Sequence, residues 1–189
     1  MRQLRGQERA ITANRQTDWA LAEAFVAEDE ALRWARERAR EAGLPSVSPG
    51  TGAALRLLAA SADAKAVAEI GTGTGVSGIY LLLGMRPDGT LTTVDVQPEH
   101  QQFAKTAFRA AGFAGNRARF IPGRALDVLP RLADGGYDLV FCDGDRGEYP
   151  DYLAESLRLL RPGGLVCFEG VFADGRTVDS GAQPAEVQR

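Results

Sequence analysis

The residues best placed to do chemistry are acids set around a run of glycines. In Val67-Ala-Glu69-Ile-Gly71-Thr72-Gly73-Thr-Gly75-Val-Ser77 a short apolar run ends in alternating glycines and passes into a helical apolar pattern. The order is strand, tight loop, helix. Glycines at 71, 73 and 75 let a ligand approach bare backbone, and the N–H groups opening the helix near Val76 and Ser77 face that ligand. Asp95 ends the next strand-like run, Leu91-Thr-Thr-Val-Asp95, about where an acid would grip ribose hydroxyls. A nucleotide-like cofactor is the expected occupant. Gly73-Thr-Gly75-Val-Ser-Gly78 also satisfies the G-x-G-x-x-G fingerprint of dinucleotide-binding proteins, so an NAD-dependent oxidoreductase stands as an alternative. A second acidic group, Asp143-Gly-Asp145-Arg146, follows the apolar run Leu139-Val-Phe-Cys142, and Glu169 follows Leu165-Val-Cys-Phe168.

The elements that must position these groups alternate. The pattern predicts helices over 18–27 and 29–42, a loop over 44–50 and a helix over 51–60 ahead of the glycine stretch. Each proline of Leu44-Pro-Ser-Val-Ser-Pro-Gly50 biases its predecessor toward extended geometry, hence the loop. Beyond it come helix 76–84, strand 90–95, helix 98–111, strand 118–122, helix 124–132, strand 137–142, helix 150–160 and strand 164–169. Strands alternating with helices imply right-handed crossovers and an α/β, Rossmann-like, doubly wound parallel sheet with helices on both faces. The unbroken apolar runs at 139–142 and 165–168 suit strands buried on both faces. Ligands of such sheets sit beyond the carboxyl ends of the strands, where the acids lie. His100, in the first turn of a helix, reads as a surface residue.

With 189 residues, 44% of them hydrophobic and 25% charged, the chain has globular composition and length for one buried domain, read as 17–189. Within it, 17–60 supplies N-terminal helices, 65–170 the nucleotide-binding core and 171–189 a C-terminal segment; residues 1–16 form a polar arm. A formal charge of −3 without a dense basic block excludes a nucleic-acid footprint and points to a small-molecule partner. No run approaches the ~20 apolar residues of a membrane span, and the N-terminus lacks a signal-peptide core, so a cytoplasmic protein is expected. Cys142 and Cys167 lack C-x-x-C spacing and read as buried free thiols.

Glu69-x-Gly71-x-Gly73-x-Gly75 resembles the first motif of class I S-adenosylmethionine (SAM) methyltransferases. Asp143-Gly-Asp145-Arg146, the nearby Tyr149 and Leu159-Leu-Arg-Pro-Gly-Gly164 look like the catechol and caffeoyl-CoA type O-methyltransferases, above all their small bacterial relatives. The resemblance runs from about Trp19 to Gly175 and implies the class I methyltransferase fold. It implies SAM as cofactor, S-adenosylhomocysteine (SAH) as product and transfer to a hydroxyl of a small acceptor, aromatic ones included. By the same resemblance Glu69, Gly71, Thr72, Gly73 and Ser77 match the cofactor loop, and Asp95 with Val96 the ribose and adenine contacts. Val47 matches the loop closing over the methionine end, and Ala125 the segment against the adenine edge. Asp143 matches the carboxylate shared by cofactor and active site, with Asp145 and Arg146 as further catalytic candidates. A homodimer is also implied, in keeping with Trp19 and Phe25 on one helix.

Three departures qualify the resemblance. Metal-using members follow the fifth strand with Asp-Asn, whereas this chain has Glu169-Gly170, leaving Asp143 and Glu169 as weak metal candidates and a divalent ion doubtful. Arg146 stands where a lysine is usual; a guanidinium can stabilise a phenolate but cannot serve as a base. These changes keep open a SAM-binding protein with lost or altered catalysis. The family also adds a helix and an antiparallel strand pair after Val171–Arg176, whereas the sequence ends at Arg189, so that strand pair is expected to be lacking.

Overall fold

The computed structural model describes residues 18–171. The polar arm expected over 1–16, and the C-terminal segment beyond its first residue, lie outside the described residues. A helix, α1, covers 18–25. There follow α2 (Glu30–Glu41), α3 (Pro49–Ser61), β1 (Ala66–Ile70), α4 (Val76–Gly84), β2 (Thr90–Asp95), α5 (Pro98–Ala110) and β3 (Ala118–Pro122). The chain continues through α6 (Ala125–Val128), β4 (Tyr137–Cys142), α7 (Tyr149–Leu159) and β5 (Leu160–Phe168).

The five strands form one parallel sheet in the order β3-β2-β1-β4-β5. This is the doubly wound α/β sheet the alternation predicts. The order reverses at the β1/β4 junction, so the loops leaving these two strands diverge and open a crevice above their carboxyl ends. Side chains alternate across β1: Val67 packs with Ile79, Leu91, Leu139 and Phe141 on one face. Ala68 and Ile70 pack with Leu129, Val140 and Leu159 on the other. Helices α2 to α5 cover the first face and α6 with α7 the second. Asp138 ties the sheet together at its base, its carboxylate accepting the Lys65 and Ala66 N–H groups at 2.7 and 2.8 Å and pairing with Arg161 at 2.5 Å.

Three boundaries differ from the sequence pattern. Helix α3 starts at Pro49, inside the predicted loop: Ser48 is its N-cap, accepting the Thr51 N–H, and proline is tolerated at a first turn whose N–H groups have no partner. The helix expected over 124–132 breaks after Val128 into a tight 3-10 turn, Leu129–Arg131, because Pro130 cannot continue the hydrogen-bond ladder. Strand β5 begins at Leu160, with a register irregularity opposite Tyr137/Leu139 that absorbs Pro162-Gly-Gly164. Cys142 is buried, Cys167 half-buried, and both are free thiols. No helix among the described residues is long and apolar enough to cross a membrane.

Candidate active site

A cavity of about 370 Å³ opens over the carboxyl ends of β1, β2 and β4. Its wall includes Val47, Gly71, Thr72, Gly73, Ser77, Asp95, Val96, Ala125 and Asp143, nine of the ten residues singled out for the cofactor. Asp145 joins them, while Arg146 and Glu169 are not part of that wall.

The glycine loop is built by strand-end hydrogen bonds. Gly71 N–H donates to Val94 O at 2.8 Å, and Asp143 N–H to Ile70 O at 2.8 Å, which lays the loop after β4 against the loop after β1. Gly71 has φ +94, and a Cβ there would run into the Asp143 carbonyl, 2.9 Å from its carbon. Only glycine lets these two backbones approach so closely. Asp95 pins the other side of the loop. Its Oδ2 accepts Gly73 N–H at 2.8 Å, and its Oδ1 accepts Gln97 N–H at 2.8 Å and lies 3.2 Å from His100 Nδ1. A carboxylate has about four acceptor positions, so one remains for a ligand hydroxyl.

Glu69, the tenth cofactor candidate, is fully buried and lies behind the wall. Its two oxygens accept the Ser77 hydroxyl at 2.7 Å and the Thr93 hydroxyl at 2.6 Å. Burial pushes its pKa up to about 7; the two hydroxyls oppose that shift, and Asp143 and Asp95 add to it. Glu69 thus acts on the cavity through Ser77, the residue that does reach the wall.

Asp143 is half-buried with its pKa pushed up to about 7, first by burial and then by the charge of Glu169, with Arg146 opposing. Glu169 is likewise raised by burial and opposed by Arg146. Asp145 caps the 3-10 turn Arg146–Glu148 by accepting the Gly147 N–H at 2.9 Å. Tyr149 donates its hydroxyl to Glu169 O at 2.7 Å and packs on Phe168 with ring centroids 5.0 Å apart, joining this turn to the end of β5. The donor set does not suit a tightly held divalent ion. Asp143 and Glu169 bring carboxylates and Asp145 spends one oxygen on the Gly147 N–H, but Gly170 offers no oxygen from a side chain, and the Arg146 guanidinium packs directly against it. No group of three or more His, Cys, Asp or Glu among the described residues could hold a metal ion.

Sequence reasoning missed the residues that hold the walls in place. Arg36 donates to Val47 O at 2.7 Å and to Ser46 Oγ at 3.1 Å, fixing the 44–47 loop to α2. It is itself held by Glu28 at 2.5 Å, which also accepts the Tyr80 hydroxyl at 2.9 Å. His100, expected at the surface, lines the cavity beside Asp95. Glu148, also on the wall, accepts Arg124 at 2.7 Å and the Tyr152 hydroxyl at 2.7 Å, closing the end near Ala125. Only the five-residue step from Asp95 to His100 in a helix's first turn could have signalled any of these contacts.

Comparison with known proteins bears on the two readings of the glycine loop. Residues 23–189 match a family model described as O-methyltransferase. A curated relative from Mycobacterium tuberculosis (strain ATCC 25618 / H37Rv), named a probable O-methyltransferase, is 53% identical over 169 residues, covering 89% of this chain and 75% of the relative. The structure of the O-methyltransferase TomG from Streptomyces achromogenes, in complex with SAM, aligns with a TM-score of 0.81 at 35% identity, covering 92% of this chain and 79% of that one. A Bacillus cereus O-methyltransferase in complex with SAH aligns with a TM-score of 0.81 at 28% identity, covering 92% and 80%. These matches favour the methyltransferase reading over the dinucleotide one.

Proposed function

Because the chain belongs to the O-methyltransferase family, we propose that it transfers a methyl group from SAM to a hydroxyl of a small acceptor, aromatic ones included. The observation that carries this reading is one cavity whose wall contains both the Asp95-pinned glycine loop and the Asp143-Asp145 pair. Its similarity to the SAM complex from Streptomyces and the SAH complex from Bacillus supports the choice of cofactor.

The residues present fit such a cofactor. The remaining acceptor position of Asp95 suits a ribose hydroxyl, Val96 and Ala125 offer apolar contact for the adenine, and Val47 with Ser77 borders the space for the methionine end. When bound, SAM supplies an electrophilic methyl group and leaves as SAH. The rest is the work of this chain's side chains. Asp143 and Asp145 orient the acceptor hydroxyl and take its proton as the oxygen gains the methyl carbon. Fixing the oxygen in line with that carbon removes an entropic barrier of several kcal/mol, on the order of 7 or more where alignment is good.

A thermal-shift comparison tests the cofactor assignment, with SAH expected to raise the melting temperature and NAD⁺ to leave it unchanged. Transfer of a labelled methyl group to a panel of catechols, with and without EDTA, tests the reaction. Stabilisation by NAD⁺ alone would overturn the proposal. Stabilisation by SAH with no transfer to any acceptor would favour a SAM-binding protein with altered catalysis, the reading that Arg146 and Gly170 keep in play.

A further inference from the structure

Gly170 follows β5 with φ +65, and a Cβ built on it would stand 3.0 Å from Cζ and 3.1 Å from Nε of Arg146, and closer still to Nη2. The guanidinium therefore rests on the bare backbone of Gly170, in the space a side chain at that position would need. Its own backbone is held by the Asp145-capped turn, and Tyr149 ties that turn to Glu169. Among the described residues Arg146 has no carboxylate within ion-pairing distance, and it is exposed. Asp143 and Glu169 both lie within reach of its field. A cation with unspent donors thus stands on Gly170 just outside the cavity wall, within the field of Asp143 and Glu169.

We propose that Arg146, seated on Gly170, takes the place of a divalent cation and binds the acceptor through an ionised oxygen adjacent to the hydroxyl that is methylated. This rests on the reading of the cavity as a methyltransferase site; the ortho-dihydroxy acceptor is what the catechol-type resemblance implies, and the new element is the cation that holds it, a guanidinium in place of an ion. A planar guanidinium presents paired N–H donors that match two neighbouring oxygens, as in an ortho-dihydroxy aromatic monoanion. An isolated hydroxyl offers one oxygen and no charge. Gly170 is then a specificity residue, because any side chain there would push the guanidinium out of position.

The test uses 4-nitrocatechol, whose monoanion absorbs in the visible, titrated into SAH-saturated full-length protein in EDTA. Binding with an absorbance shift toward the anion is expected, unchanged by added Mg²⁺, and 4-nitrophenol should bind at least tenfold more weakly. Arg146→Met should weaken nitrocatechol binding tenfold or more and abolish the shift, while SAH affinity stays within twofold. Arg146→Lys should restore charge but not paired donation, recovering only part of the affinity, and Gly170→Asn should behave like Arg146→Met. Wild-type binding that requires Mg²⁺, no binding at all, or equal binding by Arg146→Met would each overturn the proposal. Failure of SAH to bind the wild type would instead remove the methyltransferase reading itself, so the two failures are separable.

Discussion

Glu69→Gln is a substitution whose effect should change with pH. The Glu69 carboxyl has no exposed surface, and its pKa is raised from 4.5 to about 7, burial being the largest cause. A carboxyl with a raised folded-state value favours folding most when protonated. That contribution is fully present below about pH 4.5 and is lost as pH rises through about 7. With RT ln 10 near 1.36 kcal/mol, ionising this site costs the wild type about 3 kcal/mol at pH 8.5 and about 1 kcal/mol at pH 5. Glutamine is close in shape and can still face the Ser77 and Thr93 hydroxyls, so its hydrogen-bond offset is nearly the same at both pH values. The measured quantity is therefore a difference of differences. The stability of Glu69→Gln relative to wild type should rise by about 2 to 3 kcal/mol between pH 5 and pH 8.5. At about 2–4 °C per kcal/mol for a chain of this size, the melting temperature should gain roughly 4–12 °C over that interval. Urea titrations at the two pH values give the free energies directly. A constant gap, or one that shrinks toward pH 8.5, would refute the view that Glu69 is a desolvated carboxyl strained by its own charge.

Asp95→Ala removes the acceptor of the Gly73 and Gln97 N–H groups and the open position next to them, so calorimetry should show SAH binding weakened by about 1–3 kcal/mol. Unchanged affinity would sink the ribose assignment. Arg36→Met cuts the bridge from Glu28 to Val47 O, so the KM for SAM should rise more than kcat falls, with partial rescue by Arg36→Lys; equal effects on both would make Arg36 merely structural. Gly71→Ala forces a Cβ into the Asp143 carbonyl at positive φ, and denaturation should reveal a loss of more than about 2 kcal/mol. Trp19, Leu21 and Phe25 are 68%, 70% and 88% exposed on α1, and sedimentation at micromolar concentration should give a dimer of two 20.2 kDa chains. A monomer would leave these exposed apolar side chains unexplained.

What the sequence made legible, and what it did not, follows from the range of the interactions involved. Parallel strands buried on both faces must be apolar throughout, and β4, between β1 and β5, could be read from its four-residue run. Strand β5 carries a like run at 165–168 but stands at the edge of the described sheet, where those residues are only half-buried, so the two-sided burial expected of it does not hold. The acids at strand ends could be read because the sheet forces loops 71–77, 95–97 and 143–145 to one edge. Proline was read too strictly: Pro49 opens a helix that a loop reading had excluded. The supports of the cavity were illegible, since Arg36 reaches Val47 across 11 residues and Tyr80 reaches Glu28 across 52, with no local pattern to mark either contact. Glu69 was legible as special but not in its position, because a motif shows that an acid is needed and not which way it faces. Gly170 and Arg146 make the same point more sharply. Read along the chain, they are two separate departures, a lost ligand and a base that cannot act as one. In space they are a single feature, because the missing side chain at 170 is what gives the guanidinium its seat. Neither change is interpretable without the other, so the pair should be tested together: Arg146→Lys with Gly170→Asn, against each change alone, measures the coupling. A non-additive effect on nitrocatechol binding is expected, and strict additivity would mean that the two departures are independent after all.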